Sequence, residues 1–253
     1  MRAKLLYSPR ALCERLALES IKRKRLAKIR KTAAKCLSIS HIDSLELLEL
    51  SSSLQINIIY DVGANVGTWS ILAKAIIPDA QIHAFEPLAT HQAGFIQNTR
   101  HLENVTLHRV ALGSENAQSL IHITNLSDAS SMLQLAPAGE RQFGISEIGK
   151  HPLLMRQLDD YRVENDLPLP DLLKLDVQGY ELEVLKGGAQ CAKVAKAMIV
   201  EVSFTEYYEN QCLFQEIVGQ LHIYGFTVRA FAVNTPLGQP LTQADVLFTR
   251  DGV

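Results

Sequence analysis

The chain has 253 residues, of which 47% are hydrophobic and 21% are charged, with a net charge of −2. This composition is typical of a globular protein with one large α/β core, and the net charge neither favours nor excludes a nucleic-acid partner. No apolar run reaches the roughly 18 to 20 residues that a membrane-spanning helix needs, and the N-terminus lacks a signal-peptide pattern. The four cysteines lack a C-x-x-C pair or metal-ligand spacing, which predicts reduced thiols and a cytoplasmic location.

Residues 1–54 are predicted to form a helical, partly basic extension, and residues 55–253 a single α/β domain. Ser8-Pro9 begins a helix that we expect to continue through Lys35, and a second helix is predicted from about Asp43 to Leu50. The first helix carries a basic segment at residues 21–31. The favoured interpretation is a solvated helix whose apolar stripe packs on the domain or on a sister subunit. The alternative is contact with a membrane surface or a polyanion.

A glycine loop between a buried strand and a helix is the most informative local pattern. The run Ile58–Val62 is short, β-branched and apolar, which predicts a central parallel strand. Gly63 and Gly67 follow it, and a helix is predicted from Thr68 to the region of Pro78. A strand, a tight glycine turn and a helix N-terminus together form a cradle for a ligand.

The next part of the chain is predicted to alternate between strands and helices. The predicted elements are a strand at Gln81–Pro87, a helix at Leu88–His101, a strand at Asn104–Gly113 and a short strand at Ser119–Ile123. From Thr124 to Lys150 the sequence is polar and has no clear period. It is predicted to form a long excursion over the sheet edge, which is a common place for a binding loop or lid.

The second half of the chain continues the alternation. It is predicted to contain a helix from Leu158, a strand at Asp171–Asp176, a short helix from Glu181 to Gly187-Gly188, a strand at Ala197–Val202, a helix at Gln211–Tyr224 and strands at Phe226–Ala232 and Asp245–Thr249. This order predicts a mainly parallel sheet, with the last two strands forming a hairpin at one edge.

Four acidic residues stand at the carboxyl ends of four predicted strands: Asp61, Glu86, Asp176 and Glu201. Ligands of open α/β sheets bind at this edge, so we expect the four side chains to line one crevice. Glu86 follows Asp61 by about 25 residues, which is the place where such folds put an acid that hydrogen-bonds a ribose diol.

Five collinear motifs carry a resemblance to a known family. They are Asp61-x-Gly63-x-Asn65-x-Gly67, Phe85-Glu86-Pro87, Ala111-Leu112-Gly113, Leu173-Lys174-Leu175-Asp176-x-x-Gly179-x-Glu181 with Leu185-Lys186-Gly187, and Glu201-Val202. Together they resemble the FkbM family of S-adenosylmethionine-dependent methyltransferases, from about Ile58 to Thr249. The resemblance implies the Rossmann-like, three-layer class I methyltransferase fold, an α/β fold whose seven-stranded, mostly parallel sheet has an antiparallel last strand.

The resemblance also implies a cofactor and a set of site residues. S-adenosylmethionine is expected as the cofactor and O-methylation as the chemistry. Asp176 and Glu201 are the expected catalytic residues, with Asp176 the first candidate for the base, whereas His91 and His151 are weaker candidates. The expected cofactor-binding residues are Asp61, Gly63, Ala64, Asn65, Gly67, Thr68, Glu86, Pro87, Ala111 and Asp176.

The chain departs from the common form of the fourth motif because Gln178 precedes Gly179 where many relatives carry Glu. One carboxylate is thereby lost, and no bound metal is expected. The acceptor is expected to be a glycan or a small natural product or lipid with a free hydroxyl, in a pocket built from residues 124–150 and the loop with Phe204, Tyr207 and Tyr208. An oligomer and a peripheral membrane contact through the basic helix stay open.

Two other activities share part of this residue pattern. An RNA 2′-O-methyltransferase would explain Lys174, Asp176 and Glu201, but the core lacks a basic, aromatic-rich face, so no nucleic acid is expected as a partner. A nicotinamide-dependent oxidoreductase would share the glycine turn and the ribose acid. Its G-x-G-x-x-G spacing is absent, because Asn65 stands between Gly63 and Gly67.

Overall fold

The structure is a computed structural model that describes residues 9–30, 34–35, 37–38, 41–232 and 240–250. The predicted helix cap at Ser8 and the thiol of Cys36 lie outside these ranges. Within them, the chain alternates between helices and strands as the sequence predicts. Both faces of the principal sheet are covered by helices, which gives the expected three-layer α/β architecture.

The strands form two sheets. In chain order they are β1 Ile58–Val62, β2 Gln81–Phe85, β3 Val105–His108, β4 Ala111–Leu112, β5 Ala117–Thr124, β6 Glu147–Arg156, β7 Leu172–Leu175, β8 Ala197–Ser203, β9 Phe226–Phe231 and β10 Gln243–Arg250. The principal sheet has the order β3-β2-β1-β7-β8-β10-β9, and β10 is antiparallel to both of its neighbours. The predicted seven-stranded sheet with an antiparallel last strand is therefore confirmed.

The helices connect these strands and cover both faces of the sheet. They are α1 Pro9–Ile29, α2 Leu45–Ser52, α3 Thr68–Ile76, α4 Ala89–Thr99, α5 Pro137–Phe143, α6 Leu158–Glu164, α7 Glu181–Gly187, α8 Ala189–Val194 and α9 Phe214–Ile223. Within the described ranges, no helix combines the length and the apolar character needed to cross a membrane.

Alternation along β1 shows how the sheet separates two apolar layers. Ile59 packs into the layer beneath α3 and α4, whereas the next residue, Tyr60, packs into the layer beneath α6 and α9. Successive side chains of a strand point to opposite faces, and both faces of this strand are buried. The strand ends are thereby fixed, and the loops that follow them meet at one edge.

Two predicted elements in the middle of the chain differ from the structure, and one strand, β6, was not predicted. The strand predicted at Asn104–Gly113 is broken after His108, because Ala111 and Leu112 leave the principal sheet and pair with β6. The excursion from Thr124 to Lys150 is not structureless, since it contains a 3-10 turn at Ser127–Ala129, α5 and the start of β6. Most β6 side chains are exposed on both faces, so the sequence carries no alternation of apolar and polar residues there.

The N-terminal helices pack on the domain, in agreement with the favoured interpretation of the basic segment. Leu26 and Ile29 of α1 and Leu48 of α2 share an apolar layer with Ile59. The predicted end of α1 at Lys35 is wrong, because the helix stops at Ile29. The division of the chain at residue 54 stays a prediction, and this shared layer argues that the extension and the domain form one core.

Part of the positive charge of α1 is neutralised by α2 and the residues before it. Lys22 pairs with Asp43, and Arg25 pairs with both Glu46 and Glu49. These two cations are therefore directed toward the protein rather than toward an external anion. Peripheral membrane contact through α1 and a cytoplasmic location stay predictions.

We expect Leu48→Ala to destabilise the whole protein by about 2–5 kcal/mol, because it leaves a cavity in the layer that α2 shares with the sheet. Leu50→Ala is the matched control, since Leu48 is 0% exposed and Leu50 is 51% exposed on the same helix. Urea unfolding followed by circular dichroism measures both variants. Equal, small effects would show that α2 is a separate appendage.

Candidate active site

A cavity of about 580 Å³ opens at the carboxyl edge of the principal sheet. Its walls include the loops after β1, β2, β7 and β8, the first residues of β10 and residues 41–44. The order of the strands gives the cavity two ends. Glu86 follows β2 at one end, and Asp245 lies on β10 at the other, four strand spacings or roughly 19 Å across the sheet.

The structure brings together most of the predicted site residues. The cavity wall includes Gly63, Ala64, Asn65, Thr68, Glu86, Pro87, Ala111, Asp176 and Glu201. Asp61 and Gly67 are not among the residues that line it, and their contact with a ligand stays a prediction. Asp61 is 0% exposed behind the loop, and Gly67 packs against α4 next to Phe95 and Thr99.

The loop after β1 requires glycine because it passes against the end of β7. Gly63 has φ +79°, and a Cβ there would lie 1.8 Å from the carbonyl oxygen of Asp176. The backbone N–H groups of Gly63 and Ala64 both donate to the carbonyl of Phe85 at 3.0 Å. The loop is thereby held between β2 and β7, with Asn65 in the left-handed region at φ 47°.

Glu86 is buried, and its carboxylate is fixed by backbone donors. One oxygen accepts the N–H of Asn65 at 2.9 Å, and the other accepts the N–H of Leu88 at 2.8 Å. His91 Nδ1 lies 3.3 Å from the second oxygen. Each carboxylate oxygen has two lone pairs, so the oxygen that accepts only the N–H of Asn65 has one acceptor position left, whereas the other has both Leu88 and His91 as neighbours.

Lys174 links the buried Asp61 to Asp176 at the cavity. Its Nζ lies 3.4 Å from an oxygen of each carboxylate and donates to the carbonyl of Gly63 at 3.1 Å. Burial tends to lower the pKa of Lys174, but Asp176 and Asp61 raise it above its ordinary value. Burial raises the pKa of Asp61, which Lys174 and the Ser70 hydroxyl, donating at 2.6 Å, oppose.

The side-chain amide of Gln178 bridges the two predicted catalytic carboxylates. Its Nε2 donates to Asp176 Oδ1 at 2.7 Å and to Glu201 Oε2 at 2.8 Å. The hydroxyl of Tyr208 donates to Gln178 Oε1 at 3.0 Å. This orientation of the amide is the one that gives every polar atom a complementary partner.

Glu201 and Asp245 form an acidic wall at the far end of the cavity. The two residues are paired directly across β8 and β10, and the Ser44 hydroxyl donates to Asp245. Burial, with Asp176 and Asp245 nearby, raises the pKa of Glu201 well above its ordinary range. Burial raises the pKa of Asp245 to about 6, although the hydrogen bond from Ser44 opposes the shift.

Sequence reasoning missed the structural roles of Lys174, Ser44 and Asp245. Lys174 had a usable signal, since a lysine inside the buried strand β7 needs carboxylate partners. Ser44 and Asp245 had none, because 201 residues separate them. The weaker candidate His151 lies on the exposed part of β6, away from the cavity wall.

The described part of the chain contains no group of three or more His, Cys, Asp or Glu side chains placed to hold a metal ion. The acids at the cavity are instead compensated by Lys174 and by the amide of Gln178.

The sheet order, the glycine loop and the acids at the strand ends define a class I, S-adenosylmethionine-dependent methyltransferase. Comparison with known proteins gives the family, since the family model described as the methyltransferase FkbM domain matches residues 61–228. This range is more than half of the chain. The chain therefore belongs to the FkbM methyltransferase family.

Two curated relatives match the domain. The chain is 29% identical over 171 residues to the 2-O-methyltransferase NoeI of Sinorhizobium fredii, covering 65% of this chain and 70% of NoeI. It is 26% identical over 165 residues to the hexuronic acid methyltransferase AglP of Haloferax volcanii, covering 63% of this chain and 61% of AglP.

Among solved structures, the magnesium protoporphyrin IX methyltransferase ChlM of Synechocystis, with bound S-adenosylmethionine, is similar at a TM-score of 0.48 and 13% identity. The match covers 83% of this chain and 78% of ChlM.

A buried acid also supports the loop that presents Gln178. The carboxylate of Glu181 accepts the N–H of Val177 at 2.9 Å and that of Gly179 at 3.1 Å. Burial raises the pKa of Glu181 from 4.5 to about 7, although these backbone hydrogen bonds lower it.

We expect the stability of the wild type relative to Glu181→Gln to fall as the pH rises from about 4.5 to about 7. In this window the unfolded carboxyl ionises while the folded one keeps its proton, so the folded state binds more protons. The total effect is at most about 3 kcal/mol. Urea unfolding at several pH values measures it, with the exposed Glu140→Gln as control. A pH-independent difference would contradict the assignment.

Proposed function

We propose that the chain transfers the methyl group of S-adenosylmethionine to a hydroxyl oxygen of a glycan, or of a small natural product or lipid with such a hydroxyl. The observation that carries this proposal is that Glu86 and the pair Asp176–Glu201 lie along one cavity at the carboxyl edge of the sheet. The same cavity therefore contains a carboxylate that can accept hydrogen bonds from ribose hydroxyls and two acids that can act on the methyl acceptor.

The residues present fit S-adenosylmethionine, which supplies an electrophilic methyl group on a sulfonium when bound. The Glu86 oxygen that accepts only the N–H of Asn65 keeps an acceptor position for a ribose hydroxyl. The loop from Gly63 to Asn65 offers backbone at close approach. Helix α3 begins at Thr68 on the cavity wall, and its first N–H groups lack intrahelical partners, which suits the carboxylate of the methionine portion.

Asp176 is the carboxylate best placed to remove the proton of the acceptor hydroxyl. Its side chain is 33% exposed, and the ammonium of Lys174 lies 3.4 Å from one of its oxygens. Glu201 lies among acids, and its raised pKa favours the neutral form, in which it can donate a hydrogen bond to the acceptor. Two neighbouring acids with such different surroundings, one beside a cation and the other among acids, are typical of a catalytic pair of base and acid.

The reaction is an in-line displacement. The acceptor oxygen forms a bond to the methyl carbon while the bond between carbon and sulfur breaks, and the hydroxyl proton passes to Asp176. Holding oxygen, carbon and sulfur in line supplies much of the acceleration, and removal of the proton adds roughly 10²–10⁴-fold.

The names of two relatives support a sugar hydroxyl as acceptor, since one is a 2-O-methyltransferase and the other a hexuronic acid methyltransferase. The lining of the cavity argues against a polyanion such as RNA. Asp43, Asp128, Asp176, Glu201 and Asp245 all lie on its wall, whereas phosphate recognition needs unpaired cations.

We expect Glu86→Ala to weaken S-adenosylmethionine binding by at least about tenfold, because hydrogen bonds to a charged acceptor contribute about 1.5–3 kcal/mol each. Isothermal titration calorimetry measures the affinity. The exposed Glu103→Gln, beyond the following helix, is the control and should bind like the wild type. No binding by the wild type, or tight binding of a nicotinamide dinucleotide instead, would contradict the proposed cofactor.

We expect Asp176→Asn to reduce methyl transfer by roughly 10²–10⁴-fold while the affinity for S-adenosylmethionine stays within a few-fold of the wild type. Transfer is measured with isotopically labelled S-adenosylmethionine and an extract of the source cells, by mass spectrometry of the product that gains the label. Unchanged transfer by the variant would remove Asp176 from the role of base, and loss of cofactor binding would show a structural effect.

A further inference from the structure

Gln178 lies between two acids of the cavity and donates hydrogen bonds to both. Both N–H groups of its amide are directed at carboxylate oxygens, at 2.7 Å from Asp176 and 2.8 Å from Glu201. Two carboxylates that share a buried site repel each other unless a proton, a cation or hydrogen-bond donors compensate them. The amide supplies two such donors without adding charge.

The backbone of Gln178 is held in a conformation that directs the amide to this place. Its φ is +55°, an uncommon value for a residue with a side chain. The Ser131 hydroxyl donates to its carbonyl at 2.7 Å, and Glu181 accepts the N–H groups of the residues on both sides of it. The surrounding structure therefore fixes a conformation that would be costly in isolation.

Tyr208 fixes the remaining atom of the amide. Its hydroxyl lies 3.0 Å from both Gln178 Oε1 and the carbonyl of Ala129, and its single proton can be donated to either. If the amide rotated by half a turn, its carbonyl oxygen would lie against a carboxylate oxygen of Asp176, and that hydrogen bond would be lost. The amide therefore has one orientation, with its positive edge toward the two acids.

We propose that Gln178 is a positioning residue that takes the place of a metal ion: its amide holds Asp176 and Glu201 together at the acceptor end of the cavity. In this arrangement one oxygen of each acid is bound to the amide. Lys174 takes the other oxygen of Asp176. The geometry of the pair is set by fixed donors of this chain.

The proposal predicts that a carboxylate at this position creates a metal site. In Gln178→Glu one oxygen would still accept the Tyr208 hydroxyl, while the other would face Asp176 and Glu201 where the amide nitrogen lay. Three carboxylates around one point are a suitable ligand set for Mn²⁺ or Mg²⁺.

Calorimetric titration with Mn²⁺ tests this without any knowledge of the acceptor. We expect Gln178→Glu to bind one Mn²⁺ at least tenfold more tightly than the wild type, and the double variant Gln178→Glu with Asp176→Asn to lose that gain. Gln134→Glu, which adds a carboxylate near Glu209 on the surface, is the matched control and should behave like the wild type.

Gln178→Met separates positioning from packing, since it keeps the length of the side chain and removes both donors. Loss of the donors should move the titration of Glu201, followed by carbon-13 NMR of its carboxyl, to still higher pH. The groups that face Glu201 are Asp176, Asp245 and Glu181, with Lys174 and Tyr208 nearby. Cofactor affinity serves as the check on folding and reports separately on the proposed function.

Two outcomes would overturn the proposal. One is Mn²⁺ binding by the wild type as tight as that of Gln178→Glu, or no gain in the variant while it keeps its cofactor affinity. The other is an unchanged titration of Glu201 in Gln178→Met, which would show that the amide only fills space.

Discussion

The ammonium group of Lys174 is the interaction on which the carboxyl edge of the sheet depends. The side chain is only 5% exposed, yet its nitrogen contacts Asp61, Asp176 and the carbonyl of Gly63. Buried carboxylates without a cation are costly, so Asp61 and Lys174 require each other. Gly63 belongs to the loop after β1, and Asp176 follows β7. The ammonium of Lys174 therefore fixes the position of the loop relative to the candidate base.

The acids of the cavity differ in what surrounds them, and this difference gives each a separate role. Glu86 is surrounded by backbone N–H donors, Asp176 has the ammonium of Lys174, and Glu201 has mostly other acids. Glu86 is thus a fixed hydrogen-bond acceptor, Asp176 lies beside a cation, and burial among acids favours the neutral form of Glu201. The strand order separates them along the edge, so no one position has to serve two of these roles.

Local sequence patterns, and the rule that ligands bind at the carboxyl ends of parallel strands, were sufficient to predict most of the fold and the part of the site formed by the loops after β1, β2, β7 and β8. The glycines after β1 and the acids after β2, β7 and β8 are adjacent in sequence to apolar runs, and parallel strands bring their carboxyl ends together. The complete burial of Asp61 and its contact with Lys174 were not predicted, because the two residues are distant in sequence. β6 was missed because a strand exposed on both faces has no apolar period.

The position of β10 has a consequence for how the site is assembled. This strand comes last among the described elements, yet it inserts between β8 and β9, and its Asp245 meets a hydroxyl from a residue 201 positions earlier. Contacts with large sequence separation form slowly, because the intervening chain must first lose its freedom. The wall around Glu86 is built from neighbouring residues of β1, β2 and their loops. We therefore expect the end of the cavity at Glu86 to form early in folding, from contacts between neighbouring elements. The end at Asp245 can form only after nearly the whole chain has folded.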